Sequence, residues 1–414
     1  MGKLVAILAT LDTKGPEAIF LKEVFNSAGL DAVIIDLGIF KEPLVRPDIS
    51  REDVLRELSL DPKEFLSRVR DGRLRRDEAI KLMGLGAGKI LTKLIKELGG
   101  VIGIGGNQGT AAVSIAMKVL PIGIPKIIVS TVASGNIRPY IEYKDIMMMF
   151  SVADLEFGPN TISKLVLTNA ANAMIGMVMG SKRLDIDKNV KRVAISTLGS
   201  TGELTRQCSY ILRKLGFEPI VFHASGAGGS AMEELIESQF FTAVLDLNLH
   251  ELVGEVIPDD IYRPMKPRLV NSLKLDIPLV VTPGSINYLV FGPPDTVPSK
   301  YLGRQIHYHN PYNTNVRLSR EELLAVAEHL CSKFHGMGRK VRARLVLPLR
   351  GFSALDVPGG PLYKYDDDVE FINYVIKTLE GLVDIVLVDA NINSNEVSNE
   401  VLASFKTLVG ISSS

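Results

Sequence analysis

A chain of 414 residues is too long for one ordinary core and suits two domains. Its 47 basic residues balance 47 acidic ones without a long basic tract, which argues against nucleic-acid binding. The longest apolar runs (IMMMF, VIGIGG, IVLV) are strand length, so no membrane span is expected, and two cysteines without CxxC spacing fit a reducing, cytoplasmic setting.

The N-terminal run MGKLVAIL passes straight into a strand without a cleavage site, which reads as a mature start. Short runs rich in Val and Ile then alternate with longer segments of helical period, the pattern of parallel βαβ units. In the first half, strands are expected near Leu4 to Thr10, Ala32 to Leu37, Val101 to Ile104, Lys126 to Ser130 and Ile146 to Val152. A helix from Pro159 to Met179 closes this half, and the polar stretch Ser181 to Val190 reads as a linker. In the second half, strands are expected near Arg192 to Ser196, Pro219 to His223, Thr242 to Leu247, Leu279 to Thr282, Arg344 to Pro348 and Asp384 to Val388.

The two halves repeat one another. Thr10, Leu11, Gly15 and Gly29 recur as Thr197, Leu198, Gly202 and Gly216 at a constant offset of 187 (10 against 197). The GAGK segment from Gly86 recurs as GAGG from Gly226, and aligning Gly88 with Gly229 lowers the offset to 141. IPKIIVS from Ile124 matches IPLVVTP from Ile277 at an offset of 153. Three ordered matches with turn residues in corresponding places indicate an internal duplication. The expected fold is α/β: two tandem Rossmann-like doubly wound parallel-sheet subdomains, 1–182 and 190–414. The fall from 187 to 141 implies about 46 extra residues in the first copy. The charged, helical stretch at about 41–83 supplies them, as a lid, a partner-binding surface or a plain solvated excursion.

In open α/β sheets, ligands bind outside the carboxyl ends of the strands, which selects the loops worth reading. Asp12, Thr13 and Lys14 follow the first strand and open a helix, where N–H groups and the helix dipole favour an anion; an ordinary capped start with Pro16 in the first turn accounts for them equally. Gly105, Gly106, Asn107, Gln108, Gly109 and Thr110 end the third strand. Glycines there let a ligand approach the backbone, and the pattern is neither a Walker loop nor a dinucleotide fingerprint. A tight strand-to-helix turn is the structural alternative, but the second copy keeps the turn and loses these glycines (DLNLHE). Gly86, Ala87 and Gly88 read as a further helix opening, kept in both copies for a ligand or for packing. Thr131, Ser134, Gly135 and Asn136 follow the fourth strand and offer hydroxyls and an amide. Asp36 ends the second strand, 21 residues beyond Gly15 (15 against 36), near the distance at which a carboxylate holds ribose hydroxyls.

All six histidines lie in the second half. His307 and His309 share a face if IHYHNP is extended, and His223 and Asp246 end strands read as neighbours, with His250 just beyond. A metal or acid–base site can be built from such residues, although scattered histidines are more often surface or core groups. The polar loop from Leu349 to Pro361 offers Arg350 and Asp356, and Arg350 can hold a carboxylate or phosphate by two parallel bonds.

The motifs TLDTKG, GIGGNQGT, STVASGN, HNP, LPLRGFSALDVPGGPLY and DANIN together resemble an uncharacterised family described as ATP-binding. That family is similar to the N-terminal inhibitor domain of the tomato mosaic virus resistance protein. The resemblance covers essentially the whole chain. It implies a pair of Rossmann-like subdomains, ATP with a divalent ion in the first, and a homodimer. The chain departs from the family pattern at Asp246 to Leu252, at Tyr312 to Arg317 and at Asn391.

The expected function is nucleotide binding. Asp12, Thr13, Lys14 and the Gly105–Thr110 turn would hold the phosphates of ATP, Asp36 the sugar and Thr131–Asn136 the remaining polar edge. Mg2+ would arrive with the nucleotide, not in a dedicated protein cage. A small carboxylate or phosphorylated acid is the expected substrate if the chain is an enzyme, with Arg350, Asp356, His307 and His309 on one wall of a cleft between the subdomains. The alternative is a non-catalytic regulatory or protein-binding module switched by nucleotide.

Overall fold

A computed structural model of the chain describes residues 3–156, 158–180, 187 and 189–411. The chain divides into two compact units, 1–185 and 186–414. Most of the expected linker at Ser181 to Val190 lies outside the described residues.

In the first unit, β1 (Leu4–Ala9), β2 (Asp31–Asp36), β3 (Leu98–Gly105), β4 (Lys126–Ser130) and β5 (Met147–Phe150) pair in parallel, in the order β2-β1-β3-β4-β5. The helices are α1 (Leu11–Ser27), α2 (Arg51–Arg56), α3 (Pro62–Arg70), α4 (Arg76–Lys93), α5 (Asn107–Lys118), α6 (Arg138–Ile141) and α7 (Thr161–Gly180). Alternation along β1 explains the continuous apolar strand. Val5, Ile7 and Ala9 enter one core with Phe25 of α1 and Met174 of α7, while Ala6 and Leu8 enter the other with Leu91 of α4 and Met117 of α5. The repeated Gly29 and Gly216 follow the first helix of each unit at φ of +78° and +81°, left-handed geometry that favours glycine.

The insertion at 41–83 is helical, as expected. It supplies α2 with a Ser50 capping box, α3 capped by Asp61, and the first half of α4. That last part corrects the reading of Gly86, Ala87 and Gly88. They do not open a helix but lie buried inside α4, because the insertion runs into the repeated segment without a break. A Cβ on Gly86 would stand 2.4 Å from the Val54 carbonyl oxygen, and one on Gly84 would stand 2.7 Å from that of Ala112. These glycines are required by helix packing.

α7 is the helix expected from Pro159 to Met179. By length and composition it is the one helix among the described residues apolar enough to cross a membrane, with a mean hydropathy of 1.3. One face packs on β3, β4 and α1, whereas Ile162, Leu165 and Met179 are exposed. The apolar-run test missed it because Lys164 and several small polar residues interrupt the run.

In the second unit, β6 (Arg192–Thr197), β7 (Glu218–His223), β8 (Ala243–Asp246) and β9 (Leu279–Val281) precede β10 (Tyr288–Phe291), β11 (Ile306–Asn310) and β12 (Asn313–Arg317); β13 (Ala343–Pro348) and β14 (Asp384–Val388) follow. The parallel sheet runs β14-β13-β9-β8-β6-β7. From its second strand this is the order of the first unit with one strand added, as a duplication requires. β10, β12 and β11 make a separate antiparallel sheet. It was not anticipated, since its hairpin turns on Pro311 and Tyr312 without an Asn-Gly or Asp-Gly pair.

Candidate functional site

The shared strand order puts a topological switch between the first and third strands, where a crevice opens at the carboxyl ends. In the first unit a cavity of about 300 Å³ occupies that place. β1 delivers Thr10, Asp12, Thr13 and Lys14 to it, and β3 delivers Gly106, Asn107, Gln108 and Gly109. Seven of the expected ligand residues therefore converge.

Lys14 sets the electrostatics. It is 6% exposed and lines the cavity, and its ammonium makes no hydrogen bond or ion pair with any described residue. Glu17, one turn along α1, is fully buried, and burial raises its pKa against opposing pulls from a backbone N–H and from Lys14. α5 begins at Gly106 with no side-chain cap, so its first-turn N–H groups are available to an anion. Asp12 accepts long bonds from the N–H groups of Phe40 and Lys41, 3.3 and 3.4 Å, which leaves its carboxylate at the cavity wall. Glu156 is a second carboxylate there, and the Asn107 Oδ1 accepts from the Tyr140 hydroxyl at 3.1 Å.

The glycines of this turn fall into two kinds. A Cβ on Gly103 would stand 2.1 Å from Val113, and one on Gly105 would stand 2.7 Å from the Thr110 nitrogen, so the fold demands both. At Gly106 and Gly109 the nearest atoms are 3.8 and 3.6 Å away, ordinary contact distances, and neither φ is positive. Packing does not require a glycine at these two positions, and both line the cavity. The opposite wall is apolar: Leu37, Ile39 and Phe40 after β2, Ile80 of the insertion and Ala112 of α5. Sequence reading missed it. Its trace was GIF directly after a strand, and the Phe40 ring lies 4.8 Å from the Arg76 guanidinium of the insertion.

Other expected residues stand elsewhere. Asp36 is buried, and its Oδ1 accepts from the N–H groups of Leu11 at 3.0 Å and Gly38 at 2.8 Å. Burial pushes its pKa to about 6 despite those bonds. It stitches β2 to the start of α1 and does not line the cavity, which corrects the ribose assignment. Thr110 is also buried, its hydroxyl 2.6 Å from that of Ser130, and Gly105 serves packing. Thr131 lies behind Gly106, Gly135 donates to the Val132 carbonyl, and Asn136 accepts from the Arg138 N–H. Neither these three nor Ser134 line the cavity.

In the second unit the expected catalytic group does not assemble. Asp356 is fully buried and accepts from the Phe352 N–H at 2.9 Å and the Asn287 amide at 2.7 Å, which ties down its own loop. Arg350 is exposed and paired to Asp389 by two bonds. The Asn391 amide donates to the carbonyls of Arg350, Gly351 and Ser353, so the long polar loop is locked from within. His307 and His309 do share a face of β11, ring centroids 5.9 Å apart, and line a different cavity.

His223 and Asp246 are not on neighbouring strands, because β6 lies between them. Asp246 instead holds the buried Arg268 by two bonds of 2.8 Å, and Glu251 holds it by one of 3.0 Å. Glu251 also accepts from the N–H groups of Gly226 and Gly229, so the chain's own carboxylate fills the anion position at that helix start. Burial, with Arg268 opposing it, brings Glu233 to about 7. This cluster explains why the second copy dropped the glycines of the first. His250 is buried between the Ser285 carbonyl and Asp260.

Family models agree with the division seen in the fold. One for the N-terminal domain of the uncharacterised protein family UPF0261 matches residues 3–183, and one for its C-terminal domain matches 190–409. A UPF0261 protein of Clostridium tetani is 37% identical over 399 residues, 96% of each chain. One from Rhizobium meliloti is 34% identical across 87% of each. The ToMV resistance protein Tm-1(GCR237) of Solanum lycopersicum is 35% identical over 75% of this chain and 41% of its own. With both domains matched in order along nearly its whole length, the chain belongs to the UPF0261 family.

Proposed function

We propose that the chain binds a nucleotide, ATP accompanied by Mg2+, in the crevice of the first unit. The observation that carries this reading is Lys14, a nearly buried lysine whose ammonium bonds no described residue, facing a turn whose Gly106 and Gly109 the fold does not need. An ammonium with all its donors uncommitted is open to a charge-assisted bond with an anion. Phosphates beside Lys14 and the α5 N–H groups supply that anion. The apolar wall of Ile39, Phe40 and Ile80 suits a flat base, and Asp12 and Glu156 can hold the water shell of a phosphate-bound Mg2+. The reading includes a homodimer, supported by the exposed apolar residues of α7 and of the edge strand β5, among them Leu165, Met179, Met147 and Phe150.

Calorimetric titration with Mg·ATP tests the site. Gly109→Val and Gly106→Val are expected to abolish detectable binding with little change in thermal midpoint, since each side chain enters ligand space and not a packed core. Wild-type affinity in both variants would remove the assignment.

A further inference from the structure

The second unit also opens a crevice beyond its first strand, with a cavity of about 350 Å³, within the roughly 300–1,000 Å³ range of small-molecule sites. Its lining differs in kind from that of the first unit, for it contains no Asp, Glu, Lys or Arg. The small antiparallel sheet forms one wall. Asn313 and Asn315 alternate onto one face of β12, and His307 stands opposite Asn315 in the register of β11.

Asn315 is the telling residue. It is 6% exposed, lies in the cavity wall, and its side-chain amide has no hydrogen-bond partner among the described residues. The amide opens into the cavity with both its donor and its acceptor uncommitted, which a ligand offering an acceptor and a donor would use. Its neighbours are held ready. Asn313 donates to the Tyr262 hydroxyl at 3.1 Å, and the Ser200 hydroxyl sits 2.7 Å from that of Ser285 and 3.0 Å from that of Tyr288. Burial, and then His309, lowers the pKa of His307, so its ring is neutral at physiological pH and both accepts and donates.

Other ligand classes fit poorly. No three His, Cys, Asp or Glu side chains among the described residues stand close enough to hold a metal ion. An anion would meet no cationic side chain, and a purely apolar molecule would displace water from the Asn315 amide without bonding it. Polar tips of one donor or acceptor each, set between the rings of Tyr262 and His307, suit a molecule with hydroxyls around an apolar frame. We infer that this crevice is a second ligand site, which takes a neutral polyhydroxylated small molecule of monosaccharide size, with Asn315 and His307 bonding adjacent hydroxyls.

Saturation-transfer NMR on the full chain without nucleotide tests this, using D-ribose, D-glucose and myo-inositol beside the charged D-gluconate and D-ribose 5-phosphate, at pH 8 and pH 6. At least one neutral probe is expected to bind at pH 8 more tightly than either charged one. Asn315→Leu is expected to weaken it at least tenfold while the thermal midpoint holds or rises, because no protein hydrogen bond is lost; a merely structural amide would not give that pair of results. His307→Phe is expected to weaken it similarly. The inference is overturned if no neutral probe binds, if the charged probes bind better and tighten at pH 6, or if both variants bind as the wild type does. Neutral probes in the absence of ATP make the outcome independent of the nucleotide reading of the first unit.

Discussion

An ammonium group that the fold leaves unbonded is free for a ligand, and Lys14 shows how that separates a binding residue from a structural one. Lys14→Met is expected to keep or raise the thermal midpoint of the free protein while ATP affinity falls roughly 10- to 100-fold, the weight of a charge-assisted bond of about 1.5–3 kcal/mol. A lower midpoint with unchanged affinity would make Lys14 structural. Asp36 is the opposite case. Its folded pKa of about 6 lies above the ordinary 3.8, so the folded state keeps a proton that the unfolded chain releases between those values. Its contribution to stability therefore falls as pH rises through that window. Asp36→Asn preserves the Oδ1 acceptor for Leu11 and Gly38. Urea denaturation is expected to find this variant more stable than wild type at pH 7, by on the order of 3 kcal/mol, with the difference gone near pH 3.5. At this scale the sequence was legible where chemistry sat beside a turn, as at Asp12 to Lys14 and Gly106 to Gly109. It misled where a carboxylate served the chain's own N–H groups, because Asp36 and a ribose-binding Asp occupy the same strand position.

Among the elements, α4 shows why a repeated glycine motif is ambiguous. Gly88 recurs as Gly229 for a different packing reason, since a Cβ on Gly229 would collide with the Glu251 carboxylate and the Arg268 guanidinium. Gly86→Ala gains about 1 kcal/mol of helix propensity but drives a methyl group against Val54. The net expectation is a loss of about 1–3 kcal/mol, measured as a lower urea midpoint with an unchanged denaturant slope. Strand positions were readable to within a residue or two, apart from the start of β3 at Leu98, because β1, β4, β13 and β14 are continuous apolar runs. The small sheet was not. Its strands mix Asn, His and Tyr with apolar residues, and nothing local distinguishes IHYHN from a loop until β12 pairs with it. The walls of both cavities come from such late-defined segments, Ile80 in one and Asn315 in the other, so the sites were only half legible.

For the whole molecule, duplication was the most legible property, since turn glycines at matched offsets survive when side-chain chemistry does not. The proposed homodimer belongs to this scale as well. Sedimentation is expected to give twice the 45.2 kDa chain mass, and Leu165→Glu combined with Met179→Glu is expected to give the single mass. A monomeric wild type would refute that surface. The halves have also moved apart in a direction that does not reverse. Grafting the glycine turn of the first unit onto residues 246–251 would delete Asp246 and Glu251 together and leave the Arg268 guanidinium buried and unpaired, at a cost of about 3–5 kcal/mol. Once that arginine was walled in, the second half lost the route back to its sister's chemistry. Divergence here worked as a ratchet, with a single enclosed cation as its pawl.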